Sequence, residues 1–229
     1  QNVVAADLDA DGSIDVIALC SSSICVLHND GLGHLTETDS YGSTGRYVVI
    51  ADINSDGHPD IVSTSSGVEL RLNDGAGRFG PAIPGSIEGN TEPVVGDLNR
   101  DGLPDVAVAS LSGGQRVTTL LSTGRGGFTP GPETPLPGEP NGNAGHSAGG
   151  DLNGDGILDL VVLLPSGRSS TTLALLLSRG DGTFAVSTMD ATGTGPLIIT
   201  DLNGDGRPDV VILDALANSV EGLLNTTPP

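Results

Sequence analysis

The chain has 229 residues, a net charge of −20, nine arginines and no lysine. Such a surface repels nucleic acid and anionic lipid, and no run of about 18 apolar residues is present to insert into a membrane. Aromatic residues make up only 2%, namely Tyr41, Tyr47, Phe79, Phe128 and Phe184, so the core must be built from aliphatic side chains.

Read in chain order, the same unit returns five times. It opens on a short apolar run, VVAA (3–6), followed by the acidic loop DLDADGSID from Asp7 and a second apolar run, IDVIAL. A third segment, ICVLHND, leads into a Gly-rich turn, DGLGHL (30–35), and a weaker fourth segment. The loop recurs as DINSDGHPD at Asp52, DLNRDGLPD at Asp97, DLNGDGILD at Asp151 and DLNGDGRPD at Asp201. YVVIA (47–51), PVVG (93–96) and PLIIT (196–200) precede three of these loops. PDIVST, PDVAVA, LDLVVLL and PDVVIL close them; VELRLND, VTTLLST, LALLLSR and VEGLLNT supply the later third segments.

Runs of four to seven residues, β-branched and bounded by Gly, Asn, Asp and Pro, predict strands. Four such strands in about 45 residues are one blade of a propeller. The fold expected is therefore an all-β propeller of about five four-stranded antiparallel blades, with almost no helix. The approximate blade limits are 1–45, 46–90, 91–142, 143–194 and 195–229. The fifth unit stops after its third strand, at SVEGLLNTTPP. Either blades one and five close the ring, or the chain is part of a larger propeller, or its open edge pairs with another molecule. TPGPETPLPGEPNGNAG (129–145) reads as a surface loop between blades three and four.

The acidic loops follow D-x-[DN]-x-D-G-x-x-D. Oxygens at positions one, three, five and nine converge on one cation, a backbone carbonyl at position seven adds a ligand, and Gly at position six allows the sharp turn. Carboxylates crowded this closely repel one another without a cation. Calcium suits such a site, being hard and tolerant of seven oxygen ligands. An EF-hand is excluded, because its twelfth position needs Glu and here holds Ala18, Ser63, Val108, Val162 and Ile212. Sixteen of the 29 acidic residues lie in these loops, so the acidity is explained mainly by metal binding rather than by a cationic partner.

DLNGDGxxD after an apolar strand, with turns ending in GRF, GGF and GTF, resembles the FG-GAP or VCBS-type repeat family, which includes the propeller of integrin α-subunits. The resemblance covers nearly all of the chain and implies up to five Ca²⁺ ions, held in loops between the first and second strands of each blade. It implies the ligands Asp7, Asp9, Asp11, Ser13 (carbonyl) and Asp15 in blade one, and Asp52, Asn54, Asp56, His58 (carbonyl) and Asp60 in blade two. Blade three contributes Asp97, Asn99, Asp101, Leu103 (carbonyl) and Asp105; blade four Asp151, Asn153, Asp155, Ile157 (carbonyl) and Asp159. Blade five contributes Asp201, Asn203, Asp205, Arg207 (carbonyl) and Asp209. The family's propellers commonly have seven blades, and five are visible here.

GHSAG (145–149) also matches the G-x-S-x-G of a nucleophilic serine. A nucleophile elbow needs a strand before the Ser and a helix after it, and here a calcium loop follows. Catalysis by Ser147 is therefore not expected. His146 either points into the propeller channel or is a solvated or hydrogen-bonded side chain. Cys20 and Cys25 flank a short polar loop; the expectation is a disulfide, with two buried thiols as the alternative. A start at Gln1 without a leader fits a mature secreted chain or an excised domain. Asn225 in NTT is a glycosylation sequon in a eukaryotic secretory setting.

The function expected is an extracellular, calcium-stabilised, non-catalytic binding or adhesion module for an unknown protein or glycan ligand. Self-association through the incomplete last blade is a further expectation. A lectin is the alternative, opposed by the scarcity of aromatic rings for stacking on sugars. A polysaccharide-active enzyme ranks third, because the sequence offers no Lys and no cluster of His or Tyr.

Overall fold

The computed structural model describes residues 3–43, 45–65, 67–85, 87–111, 114–138, 145–165, 171–214 and 217–226. Among them every regular element is a β-strand. Blade one is β1 (Val3–Ala6), β2 (Asp15–Leu19), β3 (Ser23–Asn29) and β4 (Leu35–Gly42). Blade two is β5 (Tyr47–Ala51), β6 (Asp60–Thr64), β7 (Val68–Arg71) and β8 (Ile83–Gly85). Blade three is β9 (Val94–Gly96), β10 (Asp105–Ser110), β11 (Arg116–Ser122) and β12 (Phe128–Pro135). Blade four is β13 (Ser147–Gly150), β14 (Asp159–Pro165), β15 (Thr171–Ser178) and β16 (Phe184–Ala191). Blade five has three strands, β17 (Leu197–Thr200), β18 (Asp209–Asp214) and β19 (Ser219–Leu223). Each sheet is an antiparallel meander in sequence order, as short strands joined by tight turns require.

One boundary differs from the sequence reading. Residues 129–135 are not loop but most of β12, paired with β11 through Leu120↔Pro130 and Arg116↔Pro135. The prolines of this segment obscure its strand character. They are tolerated because β12 is the outer edge strand, where a missing N–H leaves no ladder bond unmade. A register shift between Thr118 and Leu120 accommodates the remainder. Residues 139–144 of the same stretch lie outside the described residues.

The core is not one mass but a series of apolar layers between neighbouring blades. Leu8, Ile17, Ile24 and Val26 of blade one pack with Val48, Ile61 and Phe79 of blade two. Ile53, Val62 and Leu70 meet Val106, Val108 and Leu120. Leu98, Ala107 and Val117 meet Leu160, Val162 and Leu176, and Leu152, Val161 and Leu173 meet Leu197, Val210 and Ile212. Among the described residues no such layer joins blade five to blade one. Large exposed apolar side chains accordingly gather on the end blades. Val3, Ile14, Leu32 and Leu35 lie on blade one, and Ile198, Leu202, Leu213, Val220 and Leu224 on blade five.

Polar clamps accompany these layers. At every junction the later blade donates a hydrogen bond to the carbonyl of the second loop residue of the blade before it. Asn73 Nδ2 reaches Leu8 O at 2.9 Å, and Ser122 Oγ reaches Ile53 O at 2.9 Å. Gly182 N reaches Leu98 O at 2.9 Å, and Asn225 Nδ2 reaches Leu152 O at 2.7 Å. The sequon amide of Asn225 is thus engaged in holding blade five to blade four. Cys20 and Cys25 form a disulfide across the turn from β2 to β3.

Candidate metal loops and channel mouth

Each acidic loop leaves the C-terminal end of an innermost strand and enters the second strand, so all five lie on one face. Their internal geometry is the same. The first carboxylate accepts a bond from the N–H of the Gly at position six, at 2.8 to 3.0 Å in all five loops. The fifth carboxylate accepts from the N–H of position seven at 2.7 to 2.9 Å. These bonds wrap the backbone around the acidic oxygens. The wrap needs left-handed backbone at position six, where Gly12, Gly57, Gly102, Gly156 and Gly206 have φ of 82 to 89°. In blades two to five the Asn at position three donates to the Asp at position five, setting the two side by side.

The ninth position is different. Asp15, Asp60, Asp105, Asp159 and Asp209 are all buried, and each spans two backbone amides. One oxygen accepts from the second loop residue, as Leu8 N does to Asp15 at 3.0 Å and Ile53 N to Asp60 at 2.9 Å. The other accepts from the end of the third strand, as Asn29 N does to Asp15 at 2.8 Å and Asn73 N to Asp60 at 2.9 Å. Leu98 and Ser122 serve Asp105, Leu152 and Ser178 serve Asp159, and Leu202 and Asn225 serve Asp209. The loop is thereby tied to its own blade independently of any ion.

The donor set fits calcium: the first, third and fifth side chains present oxygens toward solvent, backed by a buried carboxylate. In blade one, oxygens of Asp7, Asp9 and Asp11 lie within 4.8 Å of one another, and Asp7 Oδ1 is buried without a hydrogen-bond partner. Burial pushes the carboxyls of Asp60, Asp105 and Asp159 above the usual range, against the pull of their amide donors, and the neighbouring loop carboxylates add to it. The folded chain therefore holds these protons more tightly than the unfolded chain. That contribution to stability is complete below the unfolded carboxylate value of about 3.9 and is lost as pH rises through the folded values. In chelator, the melting temperature is expected to fall as pH is raised from about 4 toward neutrality. A steady climb over the same range contradicts this charge assignment.

The opposite face carries a second feature. Leu19, Cys20, Gly45, Arg46, Tyr47, Glu92, His146 and Pro196, drawn from all five blades, line a cavity of about 480 Å³ where the channel opens. His146 Nδ1 is 3.8 Å from Glu92 Oε2, is buried, and has no hydrogen-bond partner. Its ring lies edge-on to Tyr47 with centroids 6.2 Å apart. Burial, and then the charge of Glu92, raise the Tyr47 hydroxyl above its usual range, keeping it protonated. So His146 does face the channel, and the fold assembles a His, Tyr, Glu and Arg group that the sequence reading did not find. The signal available was that each lies just before or at the start of an innermost strand. Ser147, next to His146, is buried and donates to Glu92 O at 2.7 Å. It opens β13, which runs into an acidic loop and not into a helix, so the elbow geometry is not formed.

A five-bladed β-propeller with one wrapped acidic loop per blade defines the class. The FG-GAP-like repeat model matches residues 7–63, 52–108, 97–162 and 151–212, and the chain belongs to this family. No curated protein sequence matches the chain. Among solved structures, a lectin from Agrocybe aegerita, described as recognising non-reducing terminal N-acetylglucosamine, is similar with a TM-score of 0.61 and 20% identity. The match covers 98% of this chain and 63% of the lectin. The biofilm matrix protein Bap1 of V. cholerae is similar with a TM-score of 0.52 and 21% identity, over 92% of this chain and 34% of Bap1. These likenesses concern the fold, and the chain spans less than two thirds of either protein.

Proposed function

We propose that the chain is an extracellular, calcium-stabilised propeller acting as a non-catalytic binding or adhesion module. The observation that carries this reading is the fivefold recurrence of one loop geometry, in which the carboxylates at positions one and five take the same backbone bonds in every blade. Calcium in these loops screens the clustered carboxylates and stiffens a disc whose variable loops are free to contact a partner. The disulfide and the absence of any helix able to cross a membrane, among the described residues, are compatible with an oxidising extracellular setting.

The test is thermal unfolding of metal-stripped protein with and without millimolar Ca²⁺, together with a count of bound calcium. Each site that binds only the native state adds roughly 2.7 kcal/mol at a hundredfold excess over Kd. Several ions bound and a large upward shift are expected; neither ion nor shift would reduce the loops to turns and remove the reading's main support.

A second reading, recognition of a glycan at the channel mouth, is favoured by one observation. Tyr47 offers a ring face beside Glu92, His146 and Arg46, the mixture of stacking surface and polar groups that sugars use. The lectin relative has the same fold. Glycan-array binding that disappears in Tyr47→Ala would support it, whereas binding unaffected by that change would place recognition elsewhere.

A further inference from the structure

Blade one departs from the other four at two positions, and the two departures touch. The third loop position is Asn54, Asn99, Asn153 and Asn203 in blades two to five, but Asp9 in blade one. The residue before the amide that binds the ninth-position Asp is Leu72, Leu121, Leu177 and Leu224 in those blades, but His28 in blade one.

His28 Nδ1 stands 3.4 Å from Asp9 Oδ2 and 3.4 Å from Asp15 Oδ2. It is buried and makes no hydrogen bond. A charge-assisted bond between imidazolium and carboxylate brings the atoms to about 2.7–2.9 Å, so this is not the spacing of an ion pair at rest. It is the spacing of donors that share an ion: ligands placed tetrahedrally at about 2.1 Å lie about 3.4 Å apart. The other edge of the ring rests against Gly77 of blade two, where an added Cβ would come within 2.7 Å of Nε2, so the imidazole cannot swing away freely. Distance alone does not select the metal, since calcium oxygens span similar gaps. The nitrogen does: calcium takes oxygen ligands, whereas imidazole suits zinc and its first-row neighbours.

We propose that blade one holds a divalent first-row transition-metal ion of the zinc and cobalt class through Asp9, Asp15 and His28, while the other four loops keep to calcium. This rests on the reading of the loops as metal sites and sharpens it for one of them. Asp15 remains able to serve, because each of its oxygens accepts one amide and keeps a lone pair. A water or a neighbouring loop oxygen completes the coordination.

The test is titration of the metal-free protein with Co²⁺ in millimolar Ca²⁺, read by the visible absorption of the bound cobalt and by metal content. His28→Leu and Asp9→Asn each install in blade one the residue the other blades carry, so both are expected to fold. Wild type should take up one Co²⁺ with nitrogen-and-oxygen ligation, and either variant should bind it at least about tenfold more weakly. Unchanged cobalt affinity in His28→Leu, or no cobalt uptake by wild type against calcium, overturns the proposal. Calcium-dependent melting of the same proteins reports separately on the loops: if calcium stabilises none of the three while wild type still binds cobalt more tightly than His28→Leu, the fivefold calcium reading falls and this one stands.

Discussion

Replacing Asp60 with Ala is expected to cost the metal-free protein about 2–4 kcal/mol, measured by urea unfolding in chelator. Asp60 is fully buried, and its two oxygens accept from Ile53 N and Asn73 N. Alanine orphans both donors, at about 1–3 kcal/mol each. Relief from burying a carboxylate offsets part of this, which places the result below the simple sum. Asp52, at the first position of the same loop, is only partly buried and faces solvent. Asp52→Ala should cost far less in chelator, yet abolish the calcium response of blade two. Equal losses for the two variants in chelator would mean that the ninth carboxylate is not the internal tie described above.

The second large effect compares one repeat position in two blades. The second loop residue is Leu98 in blade three, with no exposed surface, and Leu202 in blade five, at 50% exposure. Nothing local distinguishes them, since both follow the first Asp of a D-L-N loop. Leu98 is covered by blade four, and among the described residues no blade covers Leu202. Leu98→Ala is therefore expected to cost about 2–5 kcal/mol, the usual range for a buried leucine. Leu202→Ala should stay within about 0.5 kcal/mol, as for a surface change. Comparable costs would show that the face of blade five is covered in solution, by a second copy or by further chain.

The blades and acidic loops are legible in the sequence because both are local. The strand pattern, the turn glycines and the loop carboxylates all fall within nine residues or within one meander. What was missed depends on distance or on local disguise. In sequence β12 looks like loop because Pro130, Pro132 and Pro135 mask an edge strand. The group of Tyr47, Glu92 and His146 comes from three blades and has no common spacing. The fourth loop position is left-handed in every blade: Gly154 and Gly204 announce it, but Ala10, Ser55 and Arg100 adopt φ of 60 to 63° without any signal in their side chains. In sequence the ninth Asp is a candidate ligand only, and its buried double tie to the backbone emerges when the third strand is folded beside it.

The clamps between blades have a consequence for how the molecule comes apart. Each grips a carbonyl set between the first and third positions of the preceding acidic loop. If the loops hold calcium as proposed, filling one firms the socket for the next blade, and emptying it loosens that socket. Such a chain of nearest-neighbour couplings behaves as a zipper. With calcium in the loops, as proposed, metal loss is expected to begin at blade five, where Leu202 O has no later blade to grip it among the described residues, and to travel inward. The loops of blades one to four, each gripped by the blade after it, are expected to let go later.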